Sequence, residues 1–325
     1  MSDKTWTLEE LREVYNQPLL ELVYQSATAH KEHHVTGQVQ VSNLVSIKTG
    51  GCPEDCSYCP QAARYHTDVK VHKLLEVDEV KKRAEKAKEA GVSRMCLGAA
   101  WREVRDNRDF DKVLGMVKTI SDMDMEVCCT LGMVNEIQAK QLADAGLYAY
   151  NHNIDSSEEF YGEVISTRDY EDRIDTIANV RKAKLTVCSG GIIGMGESTD
   201  DRLGMLLTLQ SLNPYPESVP INALVPVEGT PLADQPRVTF DELTRMIATT
   251  RICMPKTMVR LSAGREKMTV AEQAMCFMAG ANSIFAGDVL LTTANPSFKN
   301  DKEMFDILGL TPMKAFEKAP ELAKA

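Results

Sequence analysis

The sequence predicts an α/β protein built as a (β/α)8 TIM-type barrel with an N-terminal helical extension. Three observations predict it. Short β-branched runs alternate with longer stretches of helical periodicity, and the alternation supplies eight strand–helix units. Several helical stretches stop on glycine, as in Glu89-Ala90-Gly91, Asp144-Ala145-Gly146 and Met278-Ala279-Gly280. One barrel of ordinary size with short extensions absorbs all 325 residues. No low-complexity linker divides the chain, so residues 1–325 are expected to form a single domain: a helical cap over 1–38, the barrel over 39–291 and a C-terminal segment over 292–325.

In chain order, the extension runs from Leu8 to about Ala29 and is expected to cap the barrel. Strands are expected at Val39–Ile47, Ser93–Gly98, Glu126–Leu131, Ala149–Asp155, Leu185–Ile193, Val219–Val225, Thr257–Ser262 and Ser283–Leu290. Helices fill the intervals at Glu76–Ala90, Phe110–Ser121, Glu136–Ala145, Tyr170–Ala183, Asp200–Leu212, Asp241–Cys253 and Val270–Ala279.

After the first strand comes Gly50-Gly51-Cys52-Pro53-Glu54-Asp55-Cys56-Ser57-Tyr58-Cys59-Pro60-Gln61, a CxxxCxxC loop. Three thiolates hold a cubane iron–sulfur cluster with one iron left open to a ligand, and the glycines and proline let backbone wrap a bulky inorganic group. A zinc knuckle would need a closed set of four ligands. No later CxxC or HxxxH pair supplies one, and the spacing of His66 and His72 fits no common zinc module.

Side chains alternate across a strand, so parity sorts each run into an axial and an outer face. Glu126, Cys128 and Thr130 fall on one face against Val127, Cys129 and Leu131; Met258, Arg260 and Ser262 oppose Val259, Leu261 and Ala263. The polar sets are expected to face inward. With them come Arg94, Cys96, Asn151, Asn153, Asp155, Thr186, Cys188 and Asn222. A barrel interior is ordinarily branched aliphatic, and polar groups this costly to bury must satisfy one another or a ligand. A lone buried cysteine is usually a small hydrophobe, but Cys96, Cys128 and Cys188 on the inward parity beside arginines point to a second metal site. Cys129, Cys253 and Cys276 are read as core residues.

Ser189-Gly190-Gly191-Ile192-Ile193-Gly194-Met195-Gly196-Glu197 follows the fifth strand, either as a close-approach turn for a ligand or as a tight barrel turn. On local sequence Arg173, within Tyr170-Glu171-Asp172-Arg173, reads as a solvated helix charge, and Thr292 and Thr293 as loop residues. The formal net charge of −10 and pI near 5.2 argue against nucleic acid or an anionic membrane as the main partner. No run reaches transmembrane length, and the first residues resemble neither a signal nor a transit peptide. A cytoplasmic location follows, with the nine cysteines reduced or ligating.

Taken together these motifs resemble the radical S-adenosylmethionine (SAM) superfamily and, within it, the biotin synthase family. The resemblance covers about Leu8 to Pro312. It rests on Ser46–Cys56, Leu97-Gly98-Ala99-Ala100-Trp101, Tyr150-Asn151-His152-Asn153-Ile154-Asp155, Val219-Pro220-Ile221-Asn222 and Val259–Glu266. It implies a 4Fe-4S cluster on Cys52, Cys56 and Cys59, with SAM chelating the open iron and yielding a 5′-deoxyadenosyl radical. It also implies a 2Fe-2S cluster on Cys96, Cys128, Cys188 and Arg260. Guanidinium offers only donors, so the residues alone place Arg260 beside the metal as charge compensation; the resemblance makes it a ligand. By the same resemblance Asn153 and Asp155 bind the nucleoside sugar, Tyr58 and Ile192 lie along adenine, and Arg173 pairs with the methionine carboxylate. Asn151, Asn153 and Asn222 would contact dethiobiotin, with Thr292 and Thr293 at its carboxylate. No residue is assigned as an acid or base.

The implied partners are dethiobiotin, an electron donor such as flavodoxin or ferredoxin, iron–sulfur assembly proteins and a second copy in a homodimer. Cys129, next to Cys128, departs from the pattern. The rival readings are a hydrogenase-cofactor maturase, which would share the loop but need not share the inward cysteines, and a non-catalytic iron–sulfur scaffold.

Overall fold

A computed structural model describes residues 4–317, so the end of the expected C-terminal segment, residues 318–325, lies outside the described residues. Two helices, α1 (Leu8–Tyr15) and α2 (Leu19–His33), precede strand β1 (Gln38–Lys48). There follow α3 (Val77–Glu89), β2 (Arg94–Ala99), α4 (Arg108–Ser121), β3 (Glu126–Thr130), α5 (Glu136–Asp144) and β4 (Ala149–Asn151). The second half contains α6 (Glu158–Val164), α7 (Tyr170–Lys182), β5 (Thr186–Cys188), β6 (Gly191–Ile193), α8 (Thr199–Ser211) and β7 (Ser218–Ala223). It ends with α9 (Phe240–Cys253), β8 (Met258–Leu261), α10 (Val270–Met278), β9 (Ser283–Phe285), a hairpin of β10 (Val289–Leu290) and β11 (Thr293–Ala294), α11 (Phe298–Leu308) and β12 (Thr311–Pro312).

Parallel pairing runs from β1 through β2, β3, β4, β5, β7, β8 and β9, and β9 returns to β1, closing the barrel. Eight positions around the ring are filled because β5 and β6 share one. Outward residues such as Met95, Leu97, Val127, Val219, Val259 and Ile284 are fully buried beneath the helices, which supplies the main apolar core. Helix starts are fixed by reciprocal caps, among them Asn135 with Gln138 and Thr269 with Glu272. The glycine stops are left-handed as their sequence implied, with φ of 84° at Gly91, 97° at Gly146 and 95° at Gly280.

Several expected boundaries differ for local reasons. Pro18 precedes α2 and divides the extension into two helices, and the second continues past Ala29 to His33. These helices join the outer ring against α8, α9 and α10, and none of their residues lines the cavity at the upper strand ends. The expected fifth strand is interrupted at Ser189-Gly190. A Cβ on Gly190 would stand 2.9 Å from Pro220 Cδ and closer still to the Pro220 carbonyl; on Gly191 it would stand 2.8 Å from the Asp155 carbonyl carbon. The glycines therefore bring backbone against backbone, the tight-turn alternative rather than an approach to ligand. Gly190→Ala is expected to cost about 1–3 kcal/mol through overpacking, read as a lowered denaturation midpoint; an unchanged midpoint would remove that role. The eighth run is a short strand followed by a hairpin, because Leu291 turns the chain with a φ of 55°.

The C-terminal segment closes the lower, N-terminal end of the barrel. Thr311 N donates to Gly37 O (2.8 Å) and Met313 N to Val39 O (2.9 Å), placing β12 beside the start of β1.

Candidate active site

At the upper strand ends lies a cavity of about 330 Å³. Its lining includes the inward residues Cys96, Cys128, Asn151, Asn153, Asp155, Asn222 and Arg260, the loop residues Tyr58 and Cys59, and Ile192, Arg173, Thr292 and Thr293. Residues from all eight barrel positions, on the strands or their following loops, converge here, as barrel topology directs.

Deep in the barrel, Cys96 and Cys128 stand opposite each other in the β2–β3 register. Cys188 is fully buried, and its sulfur lies 3.2 Å from Asn151 Nδ2 and 3.9 Å from Arg260 Nη1. Arg260 is held from the other side by Ser283 Oγ (2.9 Å), Gln40 Oε1 (3.2 Å) and Ser42 Oγ (3.3 Å), with its guanidinium carbon 4.4 Å from the Phe285 ring centre. A buried guanidinium bonded to neutral oxygens and turned toward sulfur requires negative charge nearby. The pKa of Cys96 is lowered by the hydrogen bond from Cys128 and by Arg260 and Arg94, against the effect of burial. Three buried thiols and a buried cation on the barrel's inner face thus suit an anionic thiolate-bound cluster.

Cys129 sits in the opposite situation. It is fully buried on the outer face among apolar core residues, and burial raises its thiol well above the usual range. The two adjacent cysteines are therefore separated by strand parity.

Cys52, Cys56 and Cys59 occupy the loop after β1. Cys52 N donates to Gln61 O (2.9 Å), Ala63 N to Cys52 O (2.8 Å) and Cys59 N to Cys56 O (2.9 Å), so the loop is folded on itself. Burial raises Cys52 and pushes Cys56 up to about 12 and Cys59 to about 11. Thiols that resist ionising alone become ligands once a cation displaces the proton. Among the described residues no group of three His, Cys, Asp or Glu side chains is set to hold a single metal ion; a polynuclear cluster distributes its ligands over several irons.

Between the two thiol sets runs a polar network. Asp155, held at a φ of 69°, accepts from Tyr58 Oη (2.8 Å) and from Arg173 Nη2. Arg173 also donates to Tyr161 Oη and to Asn153 O, both at 3.0 Å. This corrects the local reading of Arg173 as a solvated charge: it is 5% exposed, because its partners come from the loop after β4 and from α6 rather than from its own helix. Asn153 Oδ1 accepts from Gly190 N (3.2 Å) and Asn151 Nδ2 (3.3 Å). Asn222 donates to Gly191 O (2.9 Å) and accepts from Ala263 N (3.4 Å), leaving one amide hydrogen and one lone pair. Thr293 Oγ1 donates to Leu290 O (3.1 Å), which steadies the hairpin carrying Thr292.

Arg168 was not found from sequence. It is 7% exposed and lines the cavity, and its Nε and Nη1 are buried without a hydrogen-bond partner. Glu54, inside the cysteine loop, stands 3.8 Å away. The neighbouring Thr167 and Asp55 contacts fasten this segment to the loop, a pairing more than a hundred residues apart that no local pattern encodes. His152, also in the lining, is kept neutral by burial and by Arg173 and Arg168.

Comparison with known proteins gives consistent results. The Radical SAM superfamily profile matches residues 46–209, and the Biotin and Thiamin Synthesis associated domain matches residues 220–311. The biotin synthase of Christiangramia forsetii is 66% identical over 313 residues, covering 96% of this chain and 86% of that protein. That of Cytophaga hutchinsonii is 66% identical over 312 residues, covering 96% and 93%. The corresponding protein of Nostoc punctiforme is 58% identical over 309 residues, covering 94% and 92%. Among solved structures, methylornithine synthase superposes with a TM-score of 0.81 at 18% identity, over 96% of this chain and 95% of that one. The hydrogenase maturase HydG superposes with a TM-score of 0.81 at 18% identity, over 95% and 72%. These two likenesses concern the fold.

Proposed function

We infer, from the premise that this chain belongs to the biotin synthase family and is a radical SAM enzyme inserting sulfur into dethiobiotin, how its residues divide the work. Cys52, Cys56 and Cys59 hold the 4Fe-4S cluster that the superfamily implies, and Cys96, Cys128, Cys188 and Arg260 hold a 2Fe-2S cluster. The observation that carries the assignment is that one cavity is lined by a cysteine of the loop, Cys59, and by two of the deep set, Cys96 and Cys128, with the buried Arg260 directed at the sulfur of the third, Cys188. When bound, the clusters and SAM supply the electron transfer, the hydrogen-abstracting radical and the sulfur.

The chain's own residues position and exclude. Tyr58 and Arg173 fix the Asp155 carboxylate so that it and Asn153 receive the ribose hydroxyls. The Tyr58 ring and Ile192 flank adenine. Arg173 retains N–H groups for the methionine carboxylate, and Arg168, ion-paired with Glu54 at 3.8 Å, adds a second cation to the same cavity lining. Asn151, Asn153 and the spare amide groups of Asn222 meet the ureido ring of dethiobiotin, whose carboxylate lies at Thr292 and Thr293. Trp101, Leu224, Leu290 and Leu291 complete an apolar wall that keeps water from reactive species.

Asn222→Ala is expected to weaken dethiobiotin binding by about 1–3 kcal/mol with both clusters intact, because the ureido group would lie buried against a missing partner. Equilibrium dialysis giving wild-type affinity would take Asn222 out of the pocket. The function itself is tested by anaerobic turnover with a reductant, SAM and dethiobiotin, followed by mass spectrometry. Biotin and 5′-deoxyadenosine are expected together; neither product from protein carrying both clusters would overturn the reading.

The wider assignments follow from the family. They comprise a reductase such as flavodoxin or ferredoxin, iron–sulfur assembly proteins, a homodimer and a cytoplasmic location. The nine cysteines are all unpaired, which supports a reducing compartment, and no described helix is long and apolar enough to cross a membrane. Residues 1–325 are taken as one domain, supported by closure of β9 on β1.

A further inference from the structure

The cysteine loop has a second, outward side. Pro60 and Gln61 line the upper cavity and also an outer hollow of about 520 Å³, whose lining includes Gly50, Gly51 and Ala62. These residues flank Cys52 and Cys59 in sequence, and backbone hydrogen bonds join Cys52 to Gln61 and Ala63. The floor of the hollow is therefore the backbone of the loop that carries the thiols.

The segment after the loop forms the rim of this hollow. Thr67 Oγ1 donates to Pro60 O at 2.8 Å, His72 N to Thr49 O at 3.0 Å and Leu75 N to Ile47 O at 2.8 Å, which lays the segment along the upper end of β1. Gly50, at a φ of 71°, admits Val71 from above: a Cβ there would stand 3.0 Å from Val71 Cγ2. Val71 lines the hollow and is 70% exposed.

The charge of this rim is opposite to that of the chain. The formal net charge is −10, yet residues 63–73 carry Arg64, Lys70 and Lys73 against Asp68 alone, with His66 and His72 between them, and all six side chains are exposed. Arg64 reaches Asp55 at 3.4 Å, whereas Lys70 and Lys73 have no carboxylate within ion-pair distance among the described residues. Cations on the outer helices are matched within one turn, as in Lys81–Glu85, Lys118–Asp122 and Lys140–Asp144. Unmatched cations around an exposed apolar side chain suit a contact with an acidic protein surface.

We propose that this outer face of the cysteine loop is the docking surface for an acidic one-electron carrier protein of the flavodoxin type, with Lys70 and Lys73 steering it and Val71 at the centre of the contact. One electron leaves the carrier's reduced flavin and enters the loop cluster, and no bond is made or broken. An electron can cross a layer of backbone, so the carrier needs no access to the cavity in which the organic molecules react. The inference rests on the assignment of Cys52, Cys56 and Cys59 to the 4Fe-4S cluster.

The test has two readouts, the first of which needs no turnover. Carbodiimide cross-linking of purified flavodoxin to the full-length protein at low salt, read by peptide mass spectrometry, is expected to join flavodoxin carboxylates to Lys70 and Lys73 and not to Lys140 on α5. The second is the rate at which photoreduced flavodoxin is reoxidised by the cluster-loaded protein. Lys70→Glu combined with Lys73→Glu is expected to lower that second-order rate constant roughly tenfold at low ionic strength. Salt should erase the difference, since the screening length falls from about 10 Å at 0.1 M to about 3 Å at 1 M. Lys70→Arg with Lys73→Arg should keep the wild-type rate. Photoreduced 5-deazariboflavin, a small neutral reductant with no protein surface to dock, should reduce wild type and the glutamate variant equally fast. Cross-links at Lys140 as abundant as at Lys70 and Lys73, a wild-type flavodoxin rate in the glutamate variant, or equal slowing with deazariboflavin would overturn the proposal. So would a changed oligomeric state of that variant in light scattering, which would give the face to a second copy of the chain. Failure of the underlying cluster assignment would appear elsewhere, as a normal 4Fe-4S spectrum in Cys56→Ala.

Discussion

Cys56→Ala is expected to reduce 5′-deoxyadenosine formation to background while leaving the barrel folded. Cys56 is buried, and its sulfur contributes little volume, so the packing loss should amount to about 1 kcal/mol. The chemical loss is far larger. Two remaining loop thiolates cannot hold a cubane with one open iron, and the substituted position offers neither a ligand nor a polar replacement. Burial also pushes the neighbouring Cys59 thiol up to about 11, so without iron the remaining sulfurs revert to neutral thiols. Iron and sulfide analysis, visible absorbance and 5′-deoxyadenosine by mass spectrometry check the result. A normal 4Fe-4S spectrum with normal cleavage of SAM would contradict the loop assignment.

The loop was legible because its chemistry is local: three thiols within a short glycine- and proline-containing segment. The inward set was legible for a different reason. Strand parity fixes direction even where the partner strand is unknown, so Cys128 could be told from Cys129 and Arg260 from Leu261 before their neighbours were known. Convergence was not legible, because Cys188 meets Arg260 only through barrel closure. The same limit explains the misreading of Arg173, whose helix is acidic locally but whose guanidinium meets Asp155 and Tyr161 from other elements. Arg168 was missed since its partner region, the loop around Glu54, is distant in sequence. Backbone approach decided the fifth strand: a run of apolar and glycine residues reads as continuous, whereas Gly190 and Gly191 allow the break that brings Asp155 beside the cavity.

Cys188→Ala is expected to separate the two halves of the reaction: biotin falls to background and the 2Fe-2S absorbance is lost, while some reductive cleavage of SAM persists. The separation follows from the different surroundings of the two sets. Cys188 touches Asn151, Arg260 and Ser218, whereas the loop thiols are held by backbone bonds around Gln61 and Ala63, and among the described residues no hydrogen bond joins Cys188 to a loop cysteine. Removing the sulfur also takes away the partner of Arg260 Nη1, an expected cost of about 1–3 kcal/mol in the cluster-free protein. Thermal unfolding must therefore be measured alongside, and Cys129→Ala supplies the control. That thiol is equally buried but points to the outer core, so its loss should perturb packing while leaving both clusters and the biotin yield intact. If Cys188→Ala and Cys129→Ala behave alike, strand parity does not distinguish ligand from core. If Cys188→Ala keeps its biotin yield, a cluster held by the deep thiols is not the source of sulfur. Loss of both clusters in a protein unfolding at the wild-type temperature would mean the two sites are coupled rather than independent.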